Sequence, residues 1–262
     1  MIPRPAVPFL FGFLLFLCVP VSTNAQEEEA WSKIARANEL YHEKDYATAA
    51  EIYESITRGG LENGYLYYNL GNTYMRLGQT GRAILNYLRA QTLIPREESL
   101  EANLRYAVRQ TVDQVGQPEE GWNSTILFWT RSMNLAEHLQ LLIVANIVFW
   151  FVSIGWMFYR KTTWELFRKS AFILLLLVIV STGTKYFAQE REITGVVLEE
   201  KIDIKSDKGS LNVTLFQLHK GAIVSVTGKD GGWVRVSLGQ NKSGWTPEKT
   251  VGLIKKPAPE HP

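Results

Sequence analysis

At 262 residues and 46% hydrophobic content, the chain has room for two modest folded domains or for folded parts joined by membrane-embedded ones. A formal net charge of +2 without a long basic run argues against nucleic acid as the partner. The single cysteine, Cys18, excludes a disulfide framework and a cysteine-built metal site.

In chain order, residues 1–25 read as an export signal. Arg4 supplies the positive region, 9–21 the apolar region, and Ser22-Thr23-Asn24-Ala25 a small-residue exit. Leu17 is too bulky to make Cys18 a lipid-attachment site. The segment is either cleaved after Ala25 or kept as an anchor, and in both cases the chain beyond Ala25 is delivered outside the cytoplasm.

Within 67–95, Leu70, Gly71, Tyr74, Gly78, Ala83, Tyr87, Ala90 and Pro95 stand at the spacing of a tetratricopeptide (TPR) repeat, a pair of antiparallel helices about 34 residues long. A weaker copy precedes it: Ala37 aligns with Gly71, Leu40 with Tyr74, Ala49 with Ala83 and Tyr53 with Tyr87. A further helix over 97–111, with Leu100, Leu104, Ala107 and Val108 on one face, serves as a cap. The region 27–112 is therefore expected to be an all-α TPR helical repeat domain of near-minimal length. By repeat position Asn38, Tyr41, Tyr68, Asn72, Met75 and Arg76 face the concave groove. The amides of Asn38 and Asn72 are suited to hold a peptide backbone by donor and acceptor together. The alternative is an ordinary solvated helix face.

Residues 113–138 are a linker and candidate interfacial helix: the polar stretch 112–120, with Gly116 and Pro118, is followed by Trp122, Ile126, Leu127, Phe128 and Trp129. These aromatics make an interfacial helix or pack on the cap. Apolar runs at 139–158 and 171–187 are long enough to cross a bilayer, the second only just. The loop 159–170 between them carries Arg160, Lys161, Arg168 and Lys169 against Glu165 alone, which by the positive-inside rule makes it cytoplasmic. A two-helix transmembrane hairpin would thus return the chain to the exported side.

From Ile193 the pattern changes to short β-branched runs broken by glycine. Strands are expected over 194–198, 202–205, 222–227, 233–237 and 242–246. Five short strands in 192–256 suit a small closed barrel. The pieces LHKGAIVSV, GGWVRV and SGWTPEKTVGLI resemble bacterial SH3-like domains, which bind peptides or cell-wall material through aromatic surfaces. Trp233 and Trp245 are the candidate ligand-surface residues, with barrel core as their alternative role. Residues 257–262 are a Pro-rich tail.

No catalytic constellation is present in the sequence. His42, His138, His219 and His261 lie in different segments without metal-ligand spacing, and neither a phosphate-cradling glycine loop nor a nucleophile elbow occurs. The expectation is a non-enzymatic protein with no cofactor. The order of signal, TPR segment, two spans around a basic loop and SH3-like barrel resembles the BatE family of aerotolerance-operon proteins, on the residues NLGNTYMRLGQTGRAILNYLRAQTLIP, Asn103-Leu104 and GGWVRV with SGW. The weak first repeat departs from that pattern. The resemblance implies an inner-membrane scaffold, with both soluble parts periplasmic, that docks von Willebrand factor A-domain proteins in a stress or oxygen-tolerance complex. The competing function is a cell-wall binding protein acting through the SH3-like domain.

Overall fold

The computed structural model describes residues 24–113, 132–191, 193–209, 212–238 and 242–254. The export signal up to residue 23, most of the 113–138 linker with its aromatic cluster, and the 257–262 tail lie outside the described residues.

Five helices open the described chain: α1 (Asn24–His42), α2 (Tyr46–Arg58), α3 (Gly64–Arg76), α4 (Thr80–Leu93) and α5 (Glu98–Arg109). Each packs on the one before it, so the helices form a consecutive antiparallel stack. Their starts are set by side chains that satisfy otherwise orphaned backbone N–H groups. The Asp45 carboxylate accepts from the Thr48 N–H, and the Asn63 side chain accepts from the N–H groups of Tyr65 and Leu66. Gly78 closes the α3–α4 turn at φ +69, a conformation disfavoured for side chains with a Cβ. Small residues carry the closest contacts. A Cβ at Gly71 would stand 2.6 Å from the Tyr87 ring, and Ala37, Ala49, Ala83 and Ala90 are buried beside Tyr53, Tyr74 and Tyr87.

Two helices long and apolar enough to cross a membrane come next, α6 (Leu135–Tyr159) and α7 (Thr162–Arg191). Asn134 and Glu137 cap α6 reciprocally. The helices pack on each other through Ala145, Leu175 and Val178, and a Cβ at Gly155 would overlap the Trp164 ring at 2.4 Å. Their outward faces leave Ile147, Phe151, Phe158, Leu174 and Leu177 exposed, as a lipid-facing surface requires. The connection differs from the loop expected over 159–170. Only residues 160–161 connect the two helices, Arg160 ends α6 in the left-handed conformation, and 162–170 already belong to α7. Arg160 and Arg168 both lie over the Trp156 ring, at 5.2 and 3.9 Å from its centroid. These cation–π contacts let the basic segment fold back as helix while its charges stay at one end of the hairpin.

The remainder is an antiparallel sheet of seven strands: β1 (Ile193–Val197), β2 (Lys201–Lys205), β3 (Thr214–His219), β4 (Ile223–Asp230), β5 (Trp233–Leu238), β6 (Lys242–Pro247) and β7 (Val251–Leu253), in the order β3-β2-β6-β5-β4-β1-β7. Five strands match the sequence reading, while β3 and β7 are additional. Ile202, Ile204, Val224, Val226, Val234 and Val236 form a core that includes no helix residue. A sheet that covers its own inner face in this way must curl over itself. The described ladder nevertheless ends at β3 and β7 with no pairing between them.

The sheet does not stand apart from the helices. Val196, Leu198, Ile223 and Ile254 join the helical core, the Arg89 Nη2 donates to the Leu253 carbonyl at 3.0 Å, and Asp113 accepts from the His219 backbone N–H. Glycines permit the approach on both sides. A Cβ at Gly81 would be 2.8 Å from the Val197 carbonyl oxygen, and one at Gly252 would be 2.5 Å from Leu85. The first span is tied to the same helical unit. Asn134 Nδ2 donates to the Leu93 carbonyl at 2.9 Å, Arg96 donates to the Ser132 carbonyl at 3.0 Å, and Arg96 pairs with Glu137.

Candidate protein-docking face

Asn38 and Asn72 occupy equivalent turns of α1 and α3, and the structure gives them the same neighbours. Tyr53 OH donates to Asn38 Oδ1 at 2.5 Å, and Tyr87 OH donates to Asn72 Oδ1 at 2.8 Å. Asn69 Nδ2 donates to Asn38 Oδ1 at 3.2 Å, and Asn103 Nδ2 donates to Asn72 Oδ1 at 2.9 Å. Each asparagine oxygen thus joins the tyrosine of its own hairpin to the asparagine of the next odd-numbered helix. With the oxygens held inward, the Nδ2 groups of Asn38 and Asn72 have no partner among the described residues. The face therefore offers amide donors, whereas the sequence reading assigned both donor and acceptor to a ligand.

The rest of the predicted set lies on the same two helices. Arg76 donates from Nε to the Tyr41 hydroxyl at 3.5 Å, and Tyr41 also meets Tyr46 edge-on, with ring centroids 5.2 Å apart. Tyr68 OH accepts from Asn103 at 3.1 Å and its ring lies beside Tyr87. Met75 packs half-buried on the helical core. Arg76 is exposed and supplies a positive charge next to Asn72 on α3. Trp31 and Tyr65, at matching positions of α1 and α3, and Tyr106 on α5 add exposed rings.

Sequence reasoning missed Asn69 and Asn103. The signal was available: both lie 31 residues beyond the asparagine they bind. Burial pushes the Tyr53 hydroxyl up to about 12. Tyr74 rises to about 12 first through burial and then through its hydrogen bond to Glu54, while burial also pushes Tyr87 up. These hydroxyls stay neutral donors across the ordinary pH range.

The two tryptophans lie elsewhere. Trp233 opens β5 opposite Pro247 and Asp230, and Trp245 lies in β6 opposite Arg235. Both are half-buried. Lys208 Nζ sits 5.3 Å from the Trp245 ring centroid and pairs with Asp230. No protein-family model matches the chain, and no curated protein matches it.

Proposed function

We propose that this protein is a non-enzymatic membrane scaffold whose TPR domain docks an extended segment of a partner protein. The observation that carries the reading is the repeated asparagine ladder, which turns two amide donors outward at equivalent positions of successive hairpins. Extended chains present backbone carbonyl groups at regular spacing, and such donors complement them. Arg76 adds a charge suited to an acidic side chain or terminal carboxylate.

The order of helical repeat, double span and SH3-like barrel supports membership of the BatE family, and with it von Willebrand factor A-domain proteins of the same membrane complex as partners. The clustering of Arg160, Lys161, Arg168 and Lys169 at one end of the hairpin supports a cytoplasmic turn, which puts the TPR and SH3-like parts outside the inner membrane.

The test is copurification from membranes of the native host with the full-length protein and its Asn72→Asp/Arg76→Ala variant. Aspartate keeps the inward acceptor but has no amide donor, so partner recovery falls while the helices stay folded. If the variant retains every partner of the parent, the groove assignment is wrong.

A further inference from the structure

The sheet has an apolar end that neither the helical docking face nor the hairpin uses. Its position is set by the register. β1 begins two residues after α7 ends. Leu93 at the end of α4 is held to Asn134 at the start of α6, Arg89 reaches Leu253 opposite Gly195, and Gly81 lies against Val197. β1 therefore climbs away from the spans in the direction in which α4 recedes from them.

β4 runs the opposite way. Its Val226 pairs with Ile193, and the strand continues to Asp230. At roughly 3.3 Å per residue it returns about 13 Å past the start of β1, toward the bilayer. α7 rises only about 6 Å between Phe187, where its membrane-spanning candidate stretch ends, and Arg191. A β4 strand that runs along the direction of α7 brings the β4–β5 turn down to the level of the lipid headgroups.

Other contacts bring a second turn to this end. Lys208, between β2 and β3, pairs with Asp230 and covers Trp245. A Cβ on the neighbouring Gly244 would lie 3.4 Å from Leu215. Val213 and Leu215 are 70% and 51% exposed, on the free-edge strand β3 and just before it. Apolar side chains rimmed by lysine and tryptophan are the composition of a membrane-interface contact.

We propose that this end of the sheet rests on the bilayer, with Val213 and Leu215 inserted among the headgroups and Trp245 and Lys208 at the interface. The lysines here are internally paired, Lys208 with Asp230 and Lys229 with Glu248 at 2.7 Å. Contact therefore comes from apolar insertion, and it requires neither anionic lipid nor low salt.

The full-length protein is reconstituted in phosphatidylcholine vesicles, in a Cys18→Ser background, with a fluorophore on Val213→Cys or Leu215→Cys. Brominated lipid should quench either label at least twofold more than a label on Glu199→Cys in the β1–β2 turn at the opposite end. A label on Ile147→Cys within α6 serves as the embedded reference. Quenching at Val213 and Leu215 no stronger than at Glu199, with Ile147 quenched, overturns the proposal. Protection of those labels by purified wall sacculi instead of lipid would overturn it in favour of a wall ligand. An unquenched Ile147 overturns it as well, because the hairpin would then not be embedded.

Discussion

Replacing Asn72 tests whether the asparagine ladder holds the helices together or only decorates them. Asn72→Ala removes the acceptor of two bonds, from Tyr87 OH at 2.8 Å and Asn103 Nδ2 at 2.9 Å. Asn103 keeps the Tyr68 hydroxyl as an alternative partner at 3.1 Å. Tyr87 is 1% exposed and its hydroxyl has no other acceptor among the described residues, so the cost is that of an unsatisfied buried donor, about 2 kcal/mol. Tyr87→Phe removes the donor instead and costs about 1 kcal/mol. The double variant should cost about 1 kcal/mol and not about 3, because no orphaned hydroxyl remains, which gives a coupling of about 2 kcal/mol. Asn72→Asp preserves the acceptor and should cost less than about 1 kcal/mol. Amide hydrogen exchange over α3 and α4 in the full-length protein reads these values directly. A loss of about 2 kcal/mol raises the local opening constant roughly 30-fold. Additive single costs, or an Asn72→Ala protein that opens no more than Asn72→Asp, would refute the reasoning.

Further tests address other contacts. Gly71→Ala puts a Cβ 2.6 Å from the Tyr87 ring and should destabilise the helical unit by about 1–3 kcal/mol, read as a lower thermal midpoint. Tyr53 and Tyr74 have their ionisation raised from 10 to about 12, so the stability they contribute is fully present below pH 10 and is lost as pH rises through 12. Ultraviolet titration of phenolate alongside helical circular dichroism should show two late-ionising tyrosines disappear in Tyr53→Phe/Tyr74→Phe. Gly81→Val drives a side chain against the Val197 carbonyl oxygen, at 2.8 Å for its first carbon. It should release the sheet from α4, and limited proteolysis should then cut the 199–200 turn faster while the helices keep their exchange protection. Arg89→Ala removes the bond to Leu253 and leaves that carbonyl without its guanidinium, so faster exchange is expected in β1 and β7.

The elements that the sequence revealed are those whose pattern is local. Small residues at Gly71, Ala83 and Ala90 opposite Tyr74 and Tyr87 predict a packed hairpin, and the apolar runs predict α6 and α7. β3 was missed because TLFQLH lies at an edge with Leu215 and Thr214 exposed, which destroys the alternation that marked the other strands. β7 is three residues long and comes directly after a single 3-10 turn, too short for periodicity to register. On the docking face, positions were legible but the direction of each amide was not. That direction is decided by Tyr53 and Asn69 for Asn38, and by Tyr87 and Asn103 for Asn72, residues that share no helix turn with them. The union of sheet and α4 is also a long-range property. Gly81, Gly221 and Gly252 carried its trace, yet a glycine alone does not say which surface approaches it.

That union links residues 164 positions apart, Arg89 and Leu253, on either side of both spans in the sequence. Such contacts form only if the chain crosses the bilayer an even number of times. A nascent protein in which one helix failed to insert would leave the sheet on the wrong face, with Val196, Leu198 and Ile223 lacking their helical cover and the α4 surface bare. Docking of the sheet on α4 thus depends on the threading of the chain. A correctly threaded chain closes its core, and a misthreaded one leaves both surfaces uncovered.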